Sequence, residues 1–257
     1  MRLTILGHNS PFPSPGGATL GYLVEEGSRR VLLDCGTGIS ARLLQRLTDL
    51  SELDAVVVTH LHPDHSADLF PLGFAALRAV SQCIRKDKLP LYLPAGSLGR
   101  FEALLGIVGD LGGSFSKAYE YIEYTSSTRA VFGDLEISFS PGVHALDSHA
   151  VRACTRGPSG SCLAYTGDTR YSESLVEFCS GVDLLLTEVS VDTPEEAART
   201  NHLTAPDVAK LSTKAGVRRV VLTHFMPGAP MCERAHRVKS EFLGPVDVAM
   251  DFVSWEL

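Results

Sequence analysis

The stretch Thr59-His60-Leu61-His62-Pro63-Asp64-His65 holds the densest set of reactive side chains in the chain. It follows an apolar run at 55–58 that reads as a buried strand, and it precedes a helical pattern. Imidazole nitrogens and a carboxylate so close together suit zinc, and also manganese or iron. A strand end followed by a tight turn can aim His60 and His62 to one side and Asp64 and His65 to another. The stretch therefore predicts a metal site at the end of a buried strand.

Around this stretch, short runs rich in Val, Ile and Leu alternate with helical patterns, which favours an α/β fold with packed layers. Thr204 is predicted to cap a helix, and Pro71 predicts a late start or a kink in another. Strands are predicted at 3–6, 20–24, 31–34, 55–59, 91–93, 135–139, 161–165, 182–187, 220–223 and 246–250. Helices are predicted at 39–50, 67–80, 98–108, 172–179, 205–215 and 231–242. The turn-rich stretches 111–114 and 156–161 are predicted to be loops.

The composition is that of a globular protein: 257 residues, 44% hydrophobic and 21% charged. No low-complexity linker divides the chain, so we predict one domain over residues 1–257. The net charge of −7 argues against a long nucleic acid or an anionic membrane as a partner. No apolar run has the length of about 20 residues that a membrane helix needs, and the N-terminus is not typical of a signal peptide.

Six cysteines are present, at 35, 83, 154, 162, 179 and 232, and none forms a C-x-x-C pair. The chain is long for a disulfide scaffold, so we expect reduced thiols and a cytoplasmic location.

The pattern His60-x-His62-x-Asp64-His65 resembles the signature of the metallo-β-lactamase superfamily. Further positions match that family in order along the chain. They are Asp34 in a Leu-Leu-Asp run, His144 after Gly-Val, Asp168 in Gly-Asp-Thr, and His224 after Val-Leu-Thr. The resemblance implies a four-layer αββα sandwich and two divalent metal ions, with zinc first and manganese or iron as alternatives. His60, His62 and His144 would hold one metal ion, and Asp64, His65 and His224 the other. Asp168 and a hydroxide would bridge them, and Asp34 would lie buried behind them.

The C-terminal third resembles the ribonuclease Z-like branch of this superfamily, through Glu188-Val189-Ser190 and Asn201-His202-Leu203-Thr204. The resemblance implies that His202 is a general acid for the leaving oxygen, that Glu188 orients it, and that Asp64 belongs to the catalytic set. Two other histidines stay open: His8 would be a substrate contact or a surface residue, and His149 a packing residue or a ligand.

One departure from ribonuclease Z proper concerns substrate size. Asp168 follows His144 by 24 positions, which leaves no room for the long tRNA-gripping arm of that enzyme. The short form looks more like the small phosphodiesterases of the branch, including those acting on cyclic nucleotides. We therefore expect a metal-dependent phosphodiesterase for a small substrate, and a homodimer. The alternatives are a ribonuclease Z-like endonuclease and a carbon-ester or lactone hydrolase.

Overall fold

Two mixed β-sheets form the centre of the structure, a computed structural model that describes residues 1–109 and 111–257. Each sheet has seven strands, in the orders β14-β1-β2-β3-β4-β5-β6 and β13-β12-β11-β10-β9-β8-β7. The strands of the first sheet are β1 (Arg2–Gly7), β2 (Gly21–Glu26), β3 (Arg29–Leu33), β4 (Ala55–Val57), β5 (Leu89–Pro94), β6 (Tyr119–Tyr124) and β14 (Ser254–Glu256). Those of the second are β7 (Arg129–Phe132), β8 (Leu135–Pro141), β9 (His149–Thr155), β10 (Cys162–Tyr165), β11 (Leu184–Glu188), β12 (Val220–Thr223) and β13 (Val246–Val248).

Helices cover the outer face of each sheet. They are α1 (Ile39–Leu44), α2 (Pro63–Ser66), α3 (Leu69–Ser81), α4 (Leu98–Ile107), α5 (Gly112–Ala118), α6 (Glu173–Phe178), α7 (Pro194–Thr200), α8 (Ala205–Ala215) and α9 (Met231–Glu241), with a short 3₁₀ helix at Leu50–Glu52. Three apolar clusters hold the layers together: one under α1, α3, α4 and α5, one between the sheets, and one under α6, α8 and α9. This four-layer αββα arrangement confirms the predicted fold class.

The parallel strands β3, β4, β10, β11 and β12 end at one common edge of the sandwich. The central strand β11 is buried over all five of its residues, as expected for a parallel strand covered on both faces. Ligand sites in α/β sheets lie beyond the carboxyl ends of such strands. The loops after these five strands carry the predicted site residues except His144, which lies in the loop after β8.

Most predicted elements are present, with shifted ends. Helix α8 has the predicted bounds, and Thr204 caps it by accepting from the N–H of Asp207. Helix α3 starts late, at Leu69, so that Pro71 lies in its first turn. The prediction of one helix over 39–50 was wrong, since α1 ends at Leu44. The loop predicted at 111–114 is instead the start of α5, where Phe115 is buried and anchors a short helix in spite of two glycines. Strands β6, β7, β9 and β14 and helices α2 and α7 were missed.

The expectation of reduced thiols throughout was wrong at one place. Cys154 on β9 and Cys162 on β10 lie opposite each other in antiparallel register and form a disulfide. Their pairing depends on a hairpin that the sequence did not reveal, because β9 was not recognised. Cys35 and Cys179 are free and buried, whereas Cys83 and Cys232 are free and exposed.

Within the described part of the chain, no helix combines the length and the apolar character required to cross a membrane.

Candidate metal centre

The loop after β4 places the first histidines. Strand β4 ends at Val57, and the loop residues that follow lead into α2, in which Pro63 lies at the first helical position. Extended backbone at His62 separates it from Asp64 and His65, which lie in the first turn of α2. The strand end and the helix start therefore present His60 and His62 separately from Asp64 and His65, as the sequence predicted.

All seven predicted metal-binding residues meet at the same edge of the sandwich. They form two groups, and within each group the candidate ligand atoms lie within 4.8 Å of one another. The groups are His60, His62, His144 and Asp168, and then Asp64, His65 and His224. This division is the one that the resemblance implied, although metal binding by these residues stays a prediction.

The carboxylate of Asp168 lies between the two groups. Its Oδ2 is 3.7 Å from Nε2 of both His60 and His144, whereas its Oδ1 is 3.2 Å from His65 Nε2 and 3.0 Å from His224 Nε2. One oxygen therefore faces each group, which is the arrangement of a bridging ligand.

Three buried polar atoms in this cluster lack a hydrogen-bond partner among the described residues: His65 Nε2, Asp168 Oδ1 and His224 Nε2. They approach each other closely, but not in the geometry of hydrogen bonds. Buried polar atoms are rarely left unpaired, because each costs free energy. Lone pairs directed at a common point are what a divalent cation requires, so the donor set fits a metal ion.

Burial favours the neutral form, which a metal ligand needs, in the histidines of the first group. Burial is the main cause that lowers the pKa values of His60, His62 and His144 below the ordinary range. For His60 the reduction is large, and the neighbouring His65 adds to it.

Asp34 lies behind the cluster and fixes the ring of His65. The Asp34 carboxylate is fully buried and accepts from His65 Nδ1 at 2.7 Å. It also accepts from the backbone N–H of Thr59 at 2.7 Å and from the hydroxyl of Tyr165 at 2.9 Å. With Nδ1 occupied in this way, Nε2 of His65 faces the cluster, and such buried partners typically raise the basicity of a ligating imidazole.

Glu188 and His202 form the predicted pair. The fully buried Glu188 accepts from His202 Nδ1 at 2.9 and 3.0 Å, and also from the backbone N–H of Thr169 at 2.8 Å. Burial by itself would lower the pKa of His202, but the Glu188 carboxylate raises it to about 9. The ring of His202 lies 5.0 Å from that of His144 and 5.3 Å from that of His224, between centroids. His202 therefore stands beside both groups with its Nδ1 engaged and its Nε2 free of Glu188.

Sequence reasoning missed two serines at this site. Ser190 Oγ lies 2.6 Å from both Glu188 Oε2 and His224 Nδ1, so it links the pair to a ligand of the second group. Ser10 Oγ donates to Asp64 Oδ2 at 2.7 Å. The Glu-Val-Ser turn could have indicated a role for Ser190 at the site. Ser10 lies in the first loop, where His8 was the predicted site residue.

His8 and His149 have structural contacts. The ring of His8 lies 4.9 Å from that of Phe225 between centroids, tilted by 34°, and its Nε2 lies 3.4 Å from Asp251 Oδ1. His149 packs edge-on against Tyr124, with ring centroids 5.2 Å apart. Neither belongs to the groups described above, which favours packing for His149 and leaves substrate contact by His8 a prediction.

Comparison with known proteins agrees with this geometry. Residues 29–225 match the family described as "Beta-lactamase superfamily domain". A "Probable metallo-hydrolase YhfI" from Bacillus subtilis is 28% identical, over the full length of both chains. The crystal structure of YhfI has a TM-score of 0.86 at 26% identity and covers 99% of each chain. A ribonuclease Z from Mycobacterium bovis is 27% identical, over 98% of this chain and 96% of its own. A solved diphosphatase of the PhnP family, at 17% identity and a TM-score of 0.76, covers 100% of this chain and 97% of its own and shows the same fold.

Proposed function

The chain belongs to the β-lactamase superfamily, and from that premise we propose that this metallo-hydrolase is a phosphodiesterase with two metal ions, acting on small or cyclic nucleotide-like phosphodiesters. The observation that carries the proposal is the placement of His202. A donor held by a buried carboxylate beside both ligand groups suits the protonation of a poor leaving group such as a ribose oxygen.

The donor set indicates which residues would hold the metal ions. His60, His62 and His144 would bind the first ion, Asp64, His65 and His224 would bind the second, and Asp168 would contribute to both. Zinc is the metal that this set of nitrogens and oxygens favours. When bound, the two ions would supply an activated water and neutralise the charge that develops on the phosphoryl oxygens.

The protein's own groups perform the rest of the reaction. His202 holds a proton at Nε2 toward the departing oxygen, while Glu188 accepts at Nδ1 and fixes the ring. Ser190 fixes His224 and Glu188 relative to each other through hydrogen bonds of its hydroxyl. Ser10 donates to the Asp64 oxygen that lies 3.7 Å from His224 Nε2. Asp34 fixes His65 from behind. Preorganised groups of this kind accelerate a reaction by holding the geometry that it needs.

A ribonuclease Z-like endonuclease is the second candidate, supported by the ribonuclease Z among the relatives. Against it stands the segment between His144 and Asp168, which consists of β9, a short turn and β10. That hairpin offers no extended arm for RNA, and the net charge of −7 gives no general attraction for a polyanion. A carbon-ester or lactone hydrolase is the third candidate. The Glu188–His202 pair favours the phosphodiesterase over it.

One panel of substrates separates these functions. Bis(p-nitrophenyl) phosphate, a lactone and a β-lactam are compared at equal enzyme with zinc, manganese and iron in turn. Cyclic mononucleotides, cyclic dinucleotides and a precursor tRNA follow at fixed physiological salt, because low ionic strength inflates nucleic-acid affinity. Hydrolysis of the small phosphodiesters is expected. Efficient cleavage of the tRNA at one position, without activity on small diesters, would favour the endonuclease.

The single domain over residues 1–257, the homodimer and the cytoplasmic location stay predictions. Size-exclusion chromatography with light scattering tests the homodimer directly.

A further inference from the structure

A cleft of about 300 Å³ opens on one side of His202. It is lined by Arg170, Tyr171, Pro194, Ala197, Ala198, His202 and Asp207. A second cleft, of about 190 Å³, is lined by Ser10, Pro11, Ser190, Val191, His202, His224 and Met226. His202 is common to both, so a group that leaves next to this histidine can reach the first cleft without crossing the metal centre.

The backbone of Arg170 is tied to the residues of the site. Its N–H donates to the carbonyl of Val143, next to His144, at 3.2 Å, and its carbonyl accepts from Thr169 Oγ1 at 3.0 Å. Thr169 is in turn anchored through its N–H on Glu188. The backbone of Arg170 is therefore held in place two residues after Asp168.

The guanidinium of Arg170, by contrast, makes no hydrogen bond or ion pair with any residue in 1–109 or 111–257. Most arginines of the chain are paired: Arg234, for example, donates to both carboxylate oxygens of Asp192. The side chain of Arg170 is exposed, and its unpaired guanidinium N–H groups can donate two parallel hydrogen bonds to an anion such as a phosphate.

Arg170 and Asp207 are the arginine and the carboxylate that line the cleft, and no ion pair joins them among the described residues. Asp207 is held at the start of α8, where its Oδ2 accepts from the N–H and the hydroxyl of Thr204. Lys210 lies outside the lining of the cleft, with its Nζ 4.2 Å from the centroid of the Tyr171 ring. Glu173 faces the same tyrosine, and it is paired with Lys214 at 2.8 Å.

We propose that this cleft, with Arg170 as its anchor, binds a further phosphate group carried by the part of the substrate that leaves beside His202. The inference rests on the proposed phosphodiesterase activity and narrows its substrate class. Phosphodiesters whose leaving nucleoside bears another phosphate are preferred over those whose leaving group is uncharged. The guanidinium binds this phosphate through two parallel N–H donors, and Tyr171 lines the cleft beside the sugar.

The activity test uses the dinucleotide ApA and its two singly phosphorylated forms, pApA and ApAp. Whichever ester oxygen departs, one of these forms carries the added phosphate on the leaving nucleoside. The wild-type protein is expected to show a kcat/KM for that form roughly 10- to 100-fold above that for ApA. Arg170→Ala reduces the ratio of kcat/KM between the phosphorylated form and ApA to about 1. Arg170→Lys keeps the positive charge but loses the two parallel N–H donors, and it gives an intermediate ratio. Arg199→Ala, which removes another exposed arginine from the adjacent α7, keeps the wild-type ratio.

A second readout needs no turnover. Calorimetric titration of the metal-free protein with AMP and with adenosine measures anion binding in the absence of metal ions. AMP is expected to bind more tightly than adenosine, and Arg170→Ala abolishes that difference while Arg199→Ala retains it. A wild-type ratio of 1 for the dinucleotides, or equal AMP binding by wild type and Arg170→Ala, would overturn the proposal. Failure to hydrolyse any phosphodiester would instead refute the proposed function and leave the AMP titration to decide on the cleft.

Discussion

Gly36 provides the sharpest structural test of the metal centre, because its missing side chain makes room for a predicted ligand. A Cβ at this position would lie 1.8 Å from the carbonyl oxygen of Asp64, 2.2 Å from Thr19 Oγ1 and 2.6 Å from the Asp64 carbonyl carbon. An ordinary contact begins near 3.4 Å, so Gly36→Ala must push the Asp64 backbone about 1.6 Å away.

The shift cannot be absorbed by a flexible side chain. The carbonyl of Asp64 accepts from the N–H of Leu20 at 3.1 Å, and the N–H of Gly36 donates to the carbonyl of Leu20 at 2.9 Å. Overpacking of this kind typically costs about 1–3 kcal/mol of stability. A displacement of 1 Å or more at a catalytic group can cost about 10²-fold in rate. We therefore expect Gly36→Ala to fold, to bind the second metal ion weakly and to hydrolyse bis(p-nitrophenyl) phosphate at least about 10²-fold more slowly.

The assay combines thermal unfolding, metal content after dialysis and the hydrolysis rate. The matched control is Gly99→Ala in α4, where a Cβ meets no atom within 4 Å. Because Gly99 is exposed in the first turn of α4, that substitution should change stability by no more than about 0.5 kcal/mol and leave metal content unchanged. Gly36→Ala with full metal content and the wild-type rate would refute the assignment of Asp64 to the centre.

Three further predictions follow from named contacts. His202→Ala should keep both metal ions and lose about 10²–10⁴-fold in hydrolysis rate. The control His236→Ala, on the exposed face of α9, should keep both the metal ions and the rate. An unchanged rate in His202→Ala would contradict the proposed role of His202 as general acid. Asp168→Ala should abolish hydrolysis through loss of metal, measured by elemental analysis, and retained metal at the wild-type level would contradict its bridging position. The hydrogen bonds from Arg234 lower the pKa of Asp192. This contact should therefore stabilise the folded protein by up to about 1 kcal/mol above about pH 4. The stabilisation should be lost as the pH falls through the lowered pKa of Asp192. Unfolding of wild type and Asp192→Asn between pH 7 and pH 3 tests the sign, since their difference should shrink toward acid pH.

The cluster at 59–65 could be predicted from the sequence because it follows an apolar strand that is easy to recognise. His144, Asp168 and His224 were assigned to the same site through the family resemblance, and the fold brings them together because parallel strands share one carboxyl edge. The pairing of His202 with Glu188 could be inferred only through the family resemblance, since no local pattern joins residues 14 positions apart.

Other parts depended on contacts that the sequence does not display. The buried residues of strand β9, Ala150, Val151 and Ala153, do not form a continuous apolar run, because the polar residues Arg152 and Thr155 interrupt and end it. The disulfide of Cys154 was missed for that reason. Ser10 reaches Asp64 over 54 positions of sequence because its loop follows the backbone of Phe225, to which the Ser10 N–H donates. Contacts between distant loops of this kind become visible only in the fold.

The most direct test of the two-metal phosphodiesterase is the rate of bis(p-nitrophenyl) phosphate hydrolysis as a function of zinc bound per chain. Protein stripped with a chelator is reloaded in steps, and bound metal and rate are measured on the same samples, with a lactone and a β-lactam in parallel. We predict that phosphodiester hydrolysis is absent without metal, reaches its full value at two metal ions per chain, and exceeds the hydrolysis of the other substrates. Two bound metal ions with no phosphodiester hydrolysis, beside rapid opening of the lactone or the β-lactam, would contradict the account.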